Sequence, residues 1–187
     1  MSSYNNTDLI KEQIKIANGM SNEIVVTSVK SIYSDNIEAI EIDTNELIEL
    51  NVTMRDAKKP IAKLVRLRPQ GYIIKKEYSS IISKLKNLGV EMNVIQNDTI
   101  IDVNKYLIKD YNDNFIVYEK MKLQEVKSEL VDDIIEFSKG DYIIHMKQRR
   151  SNLIAELMEP EAPNSFVSFG LIKTSIDDVL PIYRLKK

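Results

Sequence analysis

Histidine is the first candidate for hydrolytic chemistry, and the sequence contains a single one, His145. Zinc sites of hydrolases use two or more imidazoles, in spacings such as His-x-x-Glu or His-Glu-x-x-His, so one histidine excludes them from this chain. Three positions after His145 stands Gln148, which is not a carboxylate. We interpret His145 as a strand residue on the more polar face, with a catalytic or metal-binding polar site as the minor alternative.

Two acidic pairs and one basic patch are the other candidates for chemistry. The pairs Asp132-Asp133 and Asp177-Asp178 lack the spacing of a calcium loop and are predicted to be solvated loop residues. Residues 147–150, Lys-Gln-Arg-Arg, could bind a carboxylate or a phosphate, but a solvated first turn of a helix is favoured. The chain has no cysteine and only five isolated glycines, which excludes thiolate sites and glycine-rich phosphate loops.

Composition indicates a folded globular protein. Of the 187 residues, 43% are hydrophobic and 29% are charged, with a net charge of -2. A charge this small does not attract nucleic acid or an anionic membrane, and no apolar run approaches the roughly 18 residues of a spanning helix. The polar start of the chain does not resemble a signal peptide. We therefore expect no nucleic-acid partner and no membrane association, and the compartment stays open.

The elements that would position these residues begin with a short amphipathic helix at 7–19, which needs a surface to dock on. Runs rich in Ile and Val predict several strands between 23 and 76, separated by turn-like stretches such as Tyr33-Ser34-Asp35-Asn36. Apolar periodicity predicts a helix at 77–88 that ends at Gly89. A strand at 90–95 follows, and with the apolar run at 72–74 it could form a parallel pair.

The second half of the chain is predicted to start with a hairpin, whose arms lie at 99–108 and 115–127 and whose turn lies at 110–114. A strand at 142–146, a helix at 149–158 that Pro160 ends, and a final strand at 166–173 follow. The predicted class is α+β: a mixed sheet with two or three helices. One domain would span residues 22–187, preceded by a helical extension over residues 1–21.

The most distinctive local feature is the segment at 157–165, Leu-Met-Glu-Pro-Glu-Ala-Pro-Asn-Ser. Pro160 and Pro163 restrict the backbone and remove two amide donors, and Glu159 and Glu161 favour exposure to water. From these residues alone, the segment is predicted to be a rigid, extended and solvated connector.

The order of these segments resembles the region that follows the catalytic domain in bacterial zinc carboxypeptidase-like proteins, which are metallopeptidases of the carboxypeptidase A/B type. The resemblance covers about the last two thirds of the chain, and three positions depart from it: Leu88 replaces a histidine, His145 replaces a proline and Met158 replaces a leucine. The residues that carry it as a structural motif are Arg68, Pro69, Gly71, Tyr72, Gly140, Gln148, Glu159, Pro160, Glu161 and Ser165.

This resemblance implies an accessory domain that is not an enzyme on its own and that holds no cofactor. In the family, zinc is bound by a His-x-x-Glu pair and a distant histidine, which have no counterpart here, so zinc is implied only for a catalytic domain absent from this chain. The expected partner is that peptidase domain, in cis or in trans, and residues 1–21 would be the remnant of it. The alternative is an independent binding module for a peptide, a glycan or a protein.

Overall fold

The computed structural model describes Lys11, residues 22–112 and residues 117–186. Apart from Lys11, the predicted N-terminal helix therefore lies outside the described residues. The elements are β1 (Glu23–Ile40), β2 (Leu47–Leu67), β3 (Gly71–Ile74), α1 (Ser79–Asn87), β4 (Asn93–Val94), β5 (Thr99–Asn112), β6 (Val117–Tyr118), β7 (Met121–Lys122), β8 (Glu125–Phe137), β9 (Tyr142–His145), α2 (Ser151–Met158) and β10 (Val179–Leu185).

The prediction of an α+β class with a mixed sheet is wrong, because the described residues are mostly strand and every strand pair is antiparallel. The central sheet has six strands in the order β4-β9-β3-β10-β5-β8. The helices α1 and α2 are short, with nine and eight residues. Neither described helix is long and apolar enough to cross a membrane.

The central sheet carries apolar side chains on both faces. Tyr72 and Ile74 of β3 belong to the larger core, together with the buried faces of α1 and α2. Ile73 points to the opposite face, because successive residues of a strand alternate, and it packs in a smaller cluster with Phe137 and Tyr183. All four residues of β3 are buried, as expected of a strand with neighbours on both sides and cover on both faces.

The helix predicted at 77–88 is confirmed as α1. Ile81, Ile82 and Leu85 are buried on one face, and Gly89 follows the helix with a φ of 73°. The predicted parallel pairing is wrong, because β9 lies between β3 and β4 and pairs antiparallel with each of them. A local strand-helix-strand pattern could not reveal that residues 142–145 would occupy the position between them.

The region 23–67 forms one long hairpin instead of several short strands. Tyr33-Ser34-Asp35-Asn36, predicted as a turn, lies within β1, and the chain reverses only at residues 41–46. Turn-like residues are tolerated in β1 because this part of the strand is exposed and faces water.

Two further strands differ from the prediction. The hairpin arm that pairs with β5 is β8, which shares only residues 125–127 with the predicted arm at 115–127, so Asp132 and Asp133 lie in a strand and not in a loop. Of the predicted turn at 110–114, residues 110–112 belong to β5 and residues 113–114 lie outside the described residues. Residues 166–173 form turns and bends, and the last strand is β10 at 179–185, where Pro181 interrupts the ladder with β5.

Candidate functional site

Glu159 is the centre of a buried cluster of charged residues. It follows α2, which ends there because Pro160 has no amide hydrogen to continue the helix. Its side chain is 1% exposed, and it accepts a hydrogen bond of 2.6 Å from the Tyr72 hydroxyl. Arg66 Nη1 lies 2.8 Å from one carboxylate oxygen, and Arg184 Nε lies 3.3 Å from the other. Glu159 thus joins β2, β3 and β10.

Glu161 binds the same guanidinium group of Arg66. Arg66 Nη1 and Nη2 donate to the two carboxylate oxygens of Glu161 at 2.7 and 2.8 Å, the bidentate geometry that arginine makes with carboxylates. The amide and the hydroxyl of Ser128 on β8 also donate to Glu161 Oε1, both at 2.7 Å. Glu161 therefore ties the segment after α2 to the edge strand of the sheet.

The pKa values of this cluster follow from burial and charge. Burial acts most strongly on the Glu161 carboxyl and raises its pKa, but the bonds from Arg66 and Ser128 outweigh it and hold the pKa below its usual range. Burial likewise opposes the charge of Arg66, yet Glu161 and Glu159 raise the pKa of the guanidinium above its usual value. Both groups of this pair are therefore charged at neutral pH.

Two tyrosines line the cluster in different ways. Burial, reinforced by the charge of Glu159, raises the pKa of both Tyr72 and Tyr106 well above the usual value. Tyr72 donates to Glu159, whereas the Tyr106 hydroxyl is buried without a hydrogen-bond partner among the described residues. The guanidinium carbon of Arg66 lies 5.5 Å from the centre of the Tyr106 ring, which adds a cation–π contact.

We call Arg66, Arg184, Glu159, Glu161 and Tyr72 the buried ion network. Its two guanidinium groups and two carboxylates balance in charge, and Arg184 Nη2 also donates to the Leu67 carbonyl. A carboxylate that is held by arginines and turned away from solvent is a poor general acid or base, because proton transfer needs a pKa near neutrality and access to a substrate. The arrangement is suited to holding elements together rather than to catalysis.

The structure corrects the interpretation of residues 157–165 as an extended, solvated connector. Glu159 and Glu161 are almost fully buried, and the backbone forms turns, one of which is closed by a hydrogen bond from the Ala162 amide to the Glu159 carbonyl. Ser165 is 1% exposed; its hydroxyl donates to the Pro160 carbonyl and accepts from the Ser168 amide, both at 2.9 Å. The segment is a compact series of turns that packs against the sheet.

Other residues of the predicted motif lie where the long β1–β2 hairpin meets the central sheet. Arg68 is buried, and its Nη2 donates to Asn152 Oδ1 of α2 at 3.0 Å. Pro69 is buried beside it. Gly71 pairs with His145, and a Cβ at this glycine would lie 2.5 Å from the Ile144 carbonyl oxygen. Glycine at this position allows β3 and β9 to approach.

Gln148 and Gly140 support the two ends of β9. The Gln148 side chain accepts from the Glu91 amide at 2.9 Å and donates to the carbonyls of Glu91 and His145. Gly140 has a φ of 99°, a backbone conformation that side chains disfavour. His145 is exposed at the end of β9 and lies outside the buried ion network, in agreement with its interpretation as a strand residue.

Sequence reasoning placed Tyr72, Glu159 and Glu161 in the motif but missed their partners Arg66, Arg184 and Ser128. A usable signal did exist. Arg66 and Arg184 interrupt apolar strand sequences, and a buried arginine requires an acidic partner. Residues 159–161 were the richest local source of carboxylates after an amphipathic helix.

One cleft of about 330 Å³ borders the network, lined by Arg68 and by residues of β1, α2 and the segment after α2, including Asn152, Glu156 and Glu159. Among the described residues, no group of three or more His, Asp or Glu side chains is arranged to hold a metal ion. Glu159, which borders the cleft, already forms ion pairs with Arg66 and Arg184.

Comparison with known proteins gives one kind of relative. No family model and no solved structure matches the chain. It is similar to Carboxypeptidase 2 of Trichophyton equinum, with 26% identity over 177 residues, and to Carboxypeptidase 2 of Trichophyton rubrum and of Trichophyton tonsurans, each with 25% identity. These matches cover 95% of this chain but only 33% of each relative. The chain thus resembles a part of a carboxypeptidase, and because these relatives are fungal they give no support to a specifically bacterial group.

Proposed function

We propose that this chain is a non-catalytic accessory domain of a carboxypeptidase-like protein, corresponding to the region that follows the catalytic domain. Its role is to pack on, position or stabilise a peptidase domain that is absent from this chain. The single observation that carries the proposal is the match of nearly the whole chain to one third of three carboxypeptidases.

Two features of the chain support the non-catalytic part of the proposal. A single histidine cannot supply the His-x-x-Glu and distant histidine that the resemblance implies for the zinc site. The only carboxylates that are buried together, Glu159 and Glu161, are each held by Arg66, so among the described residues they serve as structural ion pairs. Zinc and the catalytic residues would then belong to the other two thirds of the protein.

The test removes the matching third from Carboxypeptidase 2 of Trichophyton equinum. We expect the remaining two thirds to contain the zinc and to unfold at a lower temperature than the whole enzyme, because an apolar docking surface is lost. The measurements are the metal content of each part and the thermal unfolding of whole and shortened enzyme. Zinc bound by the removed third, or an unchanged unfolding temperature, would refute the proposal.

An independent binding module is the second candidate, and one observation favours a protein ligand for it. Thirteen of the large apolar residues that are exposed belong to the hairpin region between Val25 and Leu67, which suits a protein surface better than a glycan. The two candidates differ in the whole enzyme, since an independent module would leave the stability of the peptidase unchanged when removed.

A further inference from the structure

The outer part of the β1–β2 hairpin lies away from the core. Ile24 and Val26, near the start of β1, are buried, but no residue from 27 to 63 is. We call residues 31–56 the distal ribbon. Its two strands continue the hairpin for about ten residues each, or about 30 Å at 3.3 Å per residue. A two-stranded ribbon without cover is marginally stable in water, so this one is expected to have a partner.

The two faces of the distal ribbon differ in polarity along their middle part. Ile37 pairs with Leu50, Tyr33 with Met54, Ala39 with Ile48 and Asp35 with Val52, so these side chains lie on one face, which is apolar except for Asp35 and which we call the apolar face. The middle of the opposite face is polar, whereas Ile32 and the pair Ile40–Leu47 lie toward its ends. It carries the pairs Asn36–Asn51, Ser34–Thr53 and Glu38–Glu49, and Asn51 Nδ2 donates to Asn36 Oδ1 at 2.7 Å.

The apolar face is exposed although its pattern is that of a core-facing strand. Ile37, Leu50 and Tyr33 are 41%, 42% and 41% exposed, and Met54 is 36% exposed. Between residues 33 and 39 and between residues 48 and 54, apolar and polar residues alternate with a period of two, Asp35 excepted, as they do in strands that bury one face. Contiguous exposed apolar surface of this kind marks an interaction site in soluble proteins.

Charge indicates the kind of surface that covers the apolar face. Between residues 32 and 54 the sequence has six carboxylates, at Asp35, Glu38, Glu41, Asp43, Glu46 and Glu49, and no lysine or arginine. Two such ribbons packed face to face would bring like charges together, which disfavours a second copy of this chain. An anionic membrane is disfavoured for the same reason. The complementary surface is an apolar groove with a basic rim.

The comparisons identify a protein that could provide this surface. Only about ten residues of the chain lie outside the match to the fungal carboxypeptidases, so most of the hairpin must lie inside it. The fungal relatives therefore contain a region that aligns with most of the hairpin. The relatives also contain two thirds of their length beyond the match, which is ample for a partner on the same polypeptide.

We propose that the apolar face of the distal ribbon docks on the catalytic portion of the carboxypeptidase-like protein, in an apolar groove whose rim is basic. This inference rests on the proposed function and adds the surface through which the domain acts. The ribbon reaches beyond its own domain, and its base is fixed by Arg66 of β2 in the buried ion network. The ion network would thus set the direction in which the ribbon leaves the sheet.

The experiment uses the absence of cysteine from the chain, which makes a single introduced thiol a specific label site. Ile37→Cys places a thiol on the apolar face, and Asn36→Cys places one on the polar face of the same strand as a matched control. Each variant is examined as the isolated chain and as a chimera in which it replaces the matching third of Carboxypeptidase 2 of Trichophyton equinum. Tethering in the chimera raises the effective concentration and favours docking across a sequence difference. Alkylation at the introduced thiol is followed by peptide mass spectrometry.

We expect both thiols to react at similar rates in the isolated chain, and the Ile37→Cys thiol to react at least about tenfold more slowly in the chimera, as for a site closed nine-tenths of the time. The Asn36→Cys thiol should keep its rate. If the chimera matches the whole enzyme in thermal stability but the two thiols react equally, the docking face is wrong and the accessory function stands. If the chimera is no more stable than the shortened enzyme, the accessory function fails as well. Protection of the Ile37→Cys thiol in the isolated chain, together with a dimeric mass, would show that the apolar face docks on a second copy of this chain, and would overturn the catalytic portion as its partner.

Discussion

Arg66 and Glu161 form a bidentate ion pair across 95 residues of sequence, with nitrogen–oxygen distances of 2.7 and 2.8 Å. Arg66 also bonds to Glu159, so one guanidinium holds both carboxylates of the segment after α2. This relationship fixes the base of the long hairpin to the central sheet.

Replacing Arg66 by methionine should destabilise the domain strongly. The change leaves Glu159 and Glu161 buried without their shared cation, and breaking a buried ion pair from one side costs about 3–5 kcal/mol. The free energy of unfolding in urea measures the effect. Lys109→Met removes an exposed ion pair to Glu129 and is the matched control, which should unfold with the parent. Equal midpoints for the two variants would show that the buried ion network does not stabilise the fold.

The pKa of Glu161 predicts how stability depends on pH. Because the folded-state pKa lies below the usual 4.5, the contribution of Glu161 is fully present above the unfolded pKa and is lost as the pH falls through the folded value. When urea unfolding of the parent is measured from pH 7 downwards, the midpoint concentration should therefore decrease once the pH is below about 4.5. The fall should be smaller in Glu161→Gln, which starts from a lower stability. Parallel pH profiles of parent and variant would contradict this assignment.

The two buried tyrosines make a matched pair. Tyr72→Phe removes a hydrogen bond to a buried carboxylate, and such bonds to charged groups contribute about 1.5–3 kcal/mol. Tyr106→Phe removes a buried hydroxyl that has no hydrogen-bond partner in the described part of the chain, so this change should be neutral or stabilising. Calorimetric unfolding of the two variants tests the difference. A larger loss for Tyr106→Phe would mean that its hydroxyl has a partner in solution.

Gly71→Ala tests the approach of β3 and β9. The added Cβ would lie 2.5 Å from the Ile144 carbonyl oxygen, which is backbone and cannot rotate away. Overpacking of this kind typically costs about 1–3 kcal/mol, and here it should reach at least the upper end. Gly89→Ala is the comparison, because its Cβ would meet only the Arg150 side chain at 3.7 Å and its cost is backbone strain at a φ of 73°, about 1 kcal/mol. Thermal unfolding should rank Gly71→Ala well below Gly89→Ala.

The parts of the fold that the sequence predicted are those with one clear periodicity. Ile81, Ile82 and Leu85 gave the helix α1, and the strand and helix around residues 142–158 were also found, because local burial patterns specify them. The long hairpin was missed because Ser34, Asp35 and Asn36 have turn propensity, while an exposed ribbon does not require strongly strand-forming residues. The strand β8 was missed for the same reason, because Asp132 and Asp133 have turn propensity and are tolerated in an edge strand with one face toward water.

The candidate site shows the limit of sequence reasoning more clearly. Glu159 and Glu161 were predicted to be solvated because their neighbours give no sign of a cation. Their partner Arg66 lies more than ninety residues away, and only the pairing of the strands brings it there. The α+β class failed for a related reason, because whether strands pair in parallel or antiparallel depends on which distant strand, here β9, lies between them.

We propose that this chain carries no peptidase chemistry of its own. The most direct measurement is the zinc content of the purified 187-residue chain after incubation with zinc and desalting, together with release of the C-terminal amino acid from a peptide. We expect no stoichiometric zinc and no release above the rate without protein. One tightly bound zinc per chain with release of C-terminal residues, both abolished by a chelator, would contradict it.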